Sequence, residues 1–302
     1  MKKILVIGSL NMDTVIETPR IPAPGETIMG KSVKLVPGGK GANQVYTIGK
    51  LGGNVSMIGA VGDDSFGDML INNLKSVDVD VSGIERISGG TTGQAFIPVD
   101  ENGENSIIVI GGTNGQVDET LLKKHESLMD ACDIVVMQQE IPLPTVMAAK
   151  EMAVKKGKTV IVDPAPAAAM PDEFWRDIDY MKPNETELGI LVGRELHTQE
   201  EYKAAAKEML EKGVKHLLVT LGSKGCLFLS EEEEEFIPVV KVKAVDTTAA
   251  GDCFTGAFAV ALSQGKTERE AVSFAQKASA IAVTRKGAQT SVPTLEEVMK
   301  DD

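Results

Sequence analysis

The sequence predicts an α/β fold: a mainly parallel central sheet with helices on both faces, plus a small projecting β-sheet. Three observations carry this. Short β-branched runs, apolar almost throughout, alternate with segments of helical period. Those helical segments are long enough to cross over between parallel strands. Two other stretches alternate polar with apolar residues, the mark of strands with one wet face and one buried face.

In chain order the strand-like runs are ILVIGS at 4–9, VSMIGAVG at 55–62, DIVVMQ at 133–138, TVIVDPAP at 159–166 and HLLVTLG at 216–222. Helices are expected at about 41–51, 65–75, 142–156, 199–212, 249–263 and 267–283. The start, MKKILVIGSLNMD, reads as a first strand and not as a secretion signal, because Asn11 and Asp13 end the apolar run and no A-x-A site follows. Residues 14–37 carry four prolines, and QAFIPVD and ENSIIVI flank the turn Glu101-Asn102-Gly103. These excursions, about 14–37 and 91–110, are expected to form a lid or an oligomer contact on a single domain spanning 1–302, with surface decoration as the alternative.

Lys and Arg number 31 against 44 Asp and Glu, a net charge of −13, which opposes binding to a phosphate backbone and argues against a nucleic-acid partner. No apolar run approaches the roughly 18 residues that span a bilayer, so no membrane role is expected. Cys132, Cys226 and Cys253 are odd in number, far apart and without C-x-x-C spacing, which suits a reduced, cytoplasmic protein. The acidic run Glu231 to Glu235 lies between CLFLS and FIPVV and reads as a solvated hairpin turn.

Four segments bear chemistry. In VDTTAAGDCFTGAFAVAL, Val245 to Leu262, the small residues Ala249, Ala250 and Gly251 let backbone N–H groups converge at a helix start, which is an anion site. Asp252 would repel that anion unless it serves the reaction as a base; the competing reading is a helix cap. In PGGKGANQ, Gly38, Gly39, Lys40 and Asn43 precede a helix, but Gly41 stands where a Walker-A motif needs Ser or Thr. This turn suits a hydroxyl-rich ligand or a plain flexible loop.

Asn11 and Asp13 lie just past the first strand, where α/β sheets bind ligands, and can bond vicinal hydroxyls. The G-x-G-x-x-G fingerprint is absent there, and Glu140 holds the equivalent place after a later strand. Asn184 and Glu187, at i and i+3, could order water around Mg2+ or form a capping box. Gly222 and Gly225 flank a turn that cradles a nucleotide or closes a hairpin.

Taken together, NMD, GGKGAN, NETE, TLGSKG, DTTAAGD and TRKGAQTSVP, in this order over the whole chain, resemble the ribokinase or PfkB family of carbohydrate kinases. The resemblance implies ATP-dependent phosphorylation of D-ribose at its 5-hydroxyl. It implies that Asn11, Asp13, Gly39, Lys40, Asn43 and Glu140 hold the sugar, that Asp252 is the base, and that Ala249, Ala250 and Gly251 form the anion hole. Asn184 with Thr220, Leu221, Gly222, Ser223, Lys224 and Gly225 would contact ATP, and Glu187 would act on Mg2+ through water. A K+ ion would sit among Asp246, Thr248, Ala282, Arg285, Gly287 and Ser291, largely on backbone carbonyls. The projecting strands would be the family's lid and pair with a second copy in a homodimer. Cys253 departs from the Thr common in the family. Sibling kinases acting on deoxyribose, fructose or adenosine stay open, as does a non-catalytic sugar-binding protein, although the latter would be expected to lose the base or the anion turn, and both are present.

Overall fold

The structure, a computed structural model, describes residues 1–300. Its strands are β1 (Ile4–Ile7), β2 (Asn11–Glu17), β3 (Ser32–Gly38), β4 (Val55–Gly62), β5 (Asp80–Ile87), β6 (Gly93–Val99), β7 (Ile108–Ile110), β8 (Ile134–Met137), β9 (Thr159–Val162), β10 (Tyr180–Met181), β11 (His216–Thr220), β12 (Cys226–Ser230) and β13 (Glu234–Ile237). The helices are α1 (Lys40–Lys50), α2 (Ser65–Lys75), α3 (Glu119–Lys124), α4 (Glu126–Ala131), α5 (Leu143–Lys155), α6 (Asp172–Trp175), α7 (Glu185–Val192), α8 (Gln199–Glu211), α9 (Ala250–Ser263), α10 (Glu268–Ala282) and α11 (Leu295–Met299).

Nine strands form the central sheet in the order β13-β12-β11-β10-β9-β8-β1-β4-β5. All neighbours run parallel except β11 with β12 and β12 with β13. The β12–β13 hairpin turn carries Glu231, Glu232 and Glu233 of the acidic run, while Glu234 and Glu235, expected in the turn, lie on β13 and pair with Lys203, Lys207 and Arg269. Both faces are covered, and the period-2 geometry of β1 shows how. Ile4 and Val6 pack on one side with α1, α2, α9, α10 and α11, represented by Val45, Leu70, Phe258, Val272 and Val298. Leu5 and Ile7 pack on the other with α3 to α8, represented by Leu122, Val146, Phe174 and Met209. All four β1 residues are fully buried, which accounts for a run with no polar member.

The lid is a four-stranded sheet in the order β3-β2-β6-β7, antiparallel except for β2 against β6. It begins at Asn11, three residues earlier than expected, so Asn11 and Asp13 lie on its second-in-line strand and not in a loop. Register places Asp13, Val36 and Ala95 on one face and Thr14, Leu35, Phe96 and Ile108 on the other. Alternation predicts one of these faces buried. Instead Val33, Leu35, Ile108 and Ile110, on the face away from Asp13, are between 45% and 64% exposed, so a single chain leaves this apolar face uncovered.

Candidate active site

The site lies at the carboxyl ends of the parallel strands, where loops and helix starts converge. Helix α9 begins there on Ala249, which takes a left-handed conformation at φ 57° and ψ 14°. For a residue with a Cβ this conformation is strained by about 1–2 kcal/mol. Ala250 N donates to Thr247 O at 3.2 Å and Cys253 N to Ala249 O at 2.8 Å, and no side chain caps the helix. The amides of Gly251 and Asp252 between them are left open, a positive helix end ready for an anion.

Asp252 therefore stands at the third helical position and is not the cap. Its buried carboxylate is held from α1: Asn43 Nδ2 donates to Oδ2 and Gln44 Nε2 to Oδ1, both at 3.0 Å. Gln289 Nε2 donates to Asn43 Oδ1 at 3.0 Å and fixes that amide in turn. The GGKG turn is built for close approach. Gly39 has φ 87°, and a Cβ there would stand 2.8 Å from Asn11 N; a Cβ on Gly41 would stand 2.6 Å from Ser9 N. Glu140 Oε2 accepts from Ser9 Oγ at 2.6 Å and from Lys40 N at 2.9 Å, which ties the strand-end acid to the turn. Asn11 Oδ1 accepts from Asn114 Nδ2 at 2.7 Å, so its own amide N–H groups stay available.

The charges are coupled. Burial, then the charges of Glu140 and Asp252, push the Asp13 carboxyl up to about 7. Burial raises Glu140 as well, against the opposing pull of Lys40. Burial alone would lower the Lys40 ammonium, but Asp252, Asp163, Glu140 and Glu187 together raise it. Asn11, Asp13, Gly39, Lys40, Asn43, Glu140 and Asp252 thus form one cluster at the base of the lid.

A cavity of about 860 Å³ opens beyond Lys40 and Asp252. Asn184, Glu187, Thr220, Gly222, Ser223 and Gly225 line it together with Ala249, Ala250 and Gly251. Leu221 and Lys224 do not: Leu221 is packed into the core and Lys224 is exposed. Asn184 and Glu187 form the capping box of α7, with Asn184 Oδ1 accepting from Glu187 N at 2.7 Å and Glu187 Oε2 from Asn184 N at 2.8 Å. Burial raises the Glu187 carboxyl, and its second oxygen is free of that box. The glycine turn is a short 3-10 segment between β11 and β12, with Gly222 at φ 53° and Gly225 at φ 102°.

Of the expected cation-site residues, Asp246, Thr248 and Gly287 are joined by hydrogen bonds. Asp246 Oδ1 accepts from Thr248 N at 2.9 Å and Oδ2 from Gly287 N at 2.8 Å, bonds that lower its carboxyl despite burial and pin the 246–248 turn to the loop after α10. The Ala282 carbonyl accepts from Arg285 N at 3.0 Å, the Arg285 guanidinium pairs with Glu297, and buried Ser291 Oγ donates to Ala288 O at 2.7 Å. Side chains of Arg285 and Ser291 are thus engaged elsewhere, which leaves carbonyls as their available donors.

Sequence reasoning missed the apolar side of the cavity, Val239, Val240, Val242, Phe254 and Val283, and the buried pair Asp163 and Lys182. Each member of that pair directly follows a core strand, but the two-residue β10 ahead of Lys182 gives no periodic signal, and the pairing itself comes from the adjacency of β9 and β10.

Known proteins resemble this chain over nearly its whole length. The pfkB family carbohydrate kinase model matches residues 1–295. A ribokinase of Haemophilus influenzae is 40% identical, covering 99% of this chain and 98% of its own. A deoxyribokinase of Salmonella typhi is 37% identical, covering 97% and 96%. Among solved structures, a ribokinase from Thermotoga maritima has a TM-score of 0.91 at 41% identity, covering 99% and 98%. An Arabidopsis thaliana ribokinase complexed with ribose and ATP has a TM-score of 0.92 at 34% identity, covering 99% and 97%. With a family model spanning nearly its full length and a buried acid beside an open helix start, this chain belongs to the pfkB family of carbohydrate kinases.

Proposed function

We propose that the protein transfers the γ-phosphoryl group of ATP to the 5-hydroxyl of D-ribose. The observation that carries this is Asp252, buried and held by two amide donors beside the two open N–H groups of α9 and at the mouth of the cavity. Each Asp252 oxygen takes one N–H from the protein, which leaves lone pairs for the sugar hydroxyl proton. As that proton moves to Asp252, the O5–P bond forms, the bond from phosphorus to the β,γ-bridging oxygen breaks, and ADP leaves with those electrons. The Gly251 and Asp252 amides, with Ala249 and Ala250 setting the turn, stabilise the charge on the phosphoryl group in transit.

On this reading Asn11, Asp13, Gly39, Lys40, Asn43 and Glu140 hold the sugar, while Asn184, Thr220, Gly222, Ser223 and Gly225 hold the nucleotide. Glu187 fits an Mg2+ ion held through water, since it lines the cavity and its capping box uses only one carboxylate oxygen; such an ion would neutralise phosphate charge. The carbonyl-rich set around Asp246 fits a large, weakly polarising K+ and keeps the anion turn in place. Lid closure over the sugar excludes water as a competing acceptor. A second copy covers the lid's outer apolar face, giving a homodimer, in a cytoplasmic enzyme. Among the described residues no helix is long and apolar enough to cross a membrane.

A coupled ADP-release assay with Mg-ATP tests the assignment across D-ribose, 2-deoxyribose, fructose, fructose 6-phosphate and adenosine, in K+ and in Na+. The expected result is preference for ribose with stimulation by K+. 2-Deoxyribose is the competitor to watch, because a deoxyribokinase matches the chain nearly as closely as a ribokinase does. Preference for it would move the substrate, and no ADP release with any acceptor would overturn the enzyme.

A further inference from the structure

A buried ion pair on the cavity wall has no part in the scheme above. Asp163 follows β9 and Lys182 follows β10, neighbours in the sheet with Val162 opposite Met181, so the topology sets the two side chains together. Lys182 Nζ is 3.1 Å from Asp163 Oδ2, with the side chains 5% and 1% exposed. Taking two charges out of water is costly, and apolar residues often replace such a pair without loss of stability. A pair kept on the wall of a binding cavity calls for a use there.

The surroundings indicate which. Gln44 Nε2 donates to Asp163 Oδ2 at 2.8 Å as well as to Asp252 Oδ1, so lysine, Asp163, Gln44 and Asp252 form one connected chain. Asp163 Oδ1 has no hydrogen-bond partner among the described residues. Lys182 Nζ lies 3.1 Å from the point where a Cβ on Gly251 would stand, so the ammonium is pressed against the first turn of α9. That end of a helix carries positive charge and repels a cation. An anion seated between the ammonium and the open amides converts the repulsion into a shared attraction.

We propose that Lys182 binds the terminal phosphates of the nucleotide, jointly with the Gly251 and Asp252 amides, and that Asp163 is the positioning residue that holds it there. The inference rests on the kinase reading. An ammonium has three donors, so one can serve Asp163 while others reach phosphate oxygens. As the bond from the γ-phosphorus to the bridging oxygen breaks, negative charge grows on the departing ADP, and a fixed ammonium nearby stabilises it.

Calorimetric titration of ATP and of adenosine into the wild type, Lys182→Met, Lys182→Arg and the double variant Asp163→Asn/Lys182→Met tests this, with kcat measured in parallel. Lys182→Met should weaken ATP on the order of 10- to 100-fold, leave adenosine unchanged and lower kcat, with Arg restoring part of both. The double variant leaves no unpaired buried charge and should fold even where the single one does not, yet bind ATP as poorly as a protein without Lys182. Wild-type ATP affinity in either Met variant overturns the proposal, since the lysine would then serve only to neutralise Asp163. Wild-type protein that binds adenosine and ATP equally also overturns it, and wild-type protein that binds neither overturns the kinase reading along with it.

Discussion

Two acids with different surroundings give different expectations at the level of single residues. Asp252→Asn keeps the shape and one of the two amide contacts, its NH2 group facing the other donor, while removing the proton acceptor. It should lower kcat by about 10²- to 10⁴-fold with KM values little changed; steady-state kinetics would refute the base assignment if turnover stayed near wild type. Asp13 is raised to about 7 by burial and by its acidic neighbours. Between pH 4 and 7 the folded chain keeps a proton there that the unfolded chain has released, so stability falls as pH rises through that window and levels off above it. Denaturant midpoints from pH 5 to 8 should fall less steeply in Asp13→Asn than in the wild type, with Glu140 leaving a residual slope of the same sign. Equal slopes would show that Asp13 does not titrate near neutrality. The motif residues of this cluster were readable because each falls in a short run of small or polar residues at a strand end. Asp163, Lys182 and Gln44 were not, because their significance arises from adjacency of β9 with β10 and from the packing of α1, which no local spacing encodes.

Elements were legible where period and burial agree. A helix expected at 199–212 is found at Gln199–Glu211, and one at 267–283 at Glu268–Ala282, each opened by a capping box on Thr198 and Thr267. Strand β5 was passed over because it lies at the sheet edge and carries Asp80, Gly83, Glu85 and Arg86. Strand β10 is only two residues long, below any periodic signal. The step from β3 into α1 depends on Gly39, whose φ of 87° and backbone contact leave no room for a side chain. Gly39→Ala should cost on the order of 2 kcal/mol and most of the sugar affinity. Thermal unfolding with sugar titration checks both, and a variant with wild-type Tm would mean that the turn can relax.

For the molecule as a whole, the lid carries an apolar face that one chain does not cover. Val33, Leu35, Ile108 and Ile110 form an exposed apolar face on the side away from Asp13. A self-complementary contact between two copies would bury it. Sedimentation should find a dimer for the wild type and a monomer for Leu35→Glu; a wild-type monomer at micromolar concentration would remove the lid from any assembly. The central position of β1 bears also on how the chain comes together in time. Ile4–Ile7 pairs with residues 55–58 on one side and with 134–137 on the other. The cluster at the site draws on positions from Asn11 to Gln289. During synthesis the first strand therefore waits with an unsatisfied edge until almost half of the chain has emerged, and the reaction centre is complete only near the end. Such distant pairings slow folding and leave sticky intermediates, so amino-terminal fragments of this protein should gather into aggregates long before they could turn over a substrate.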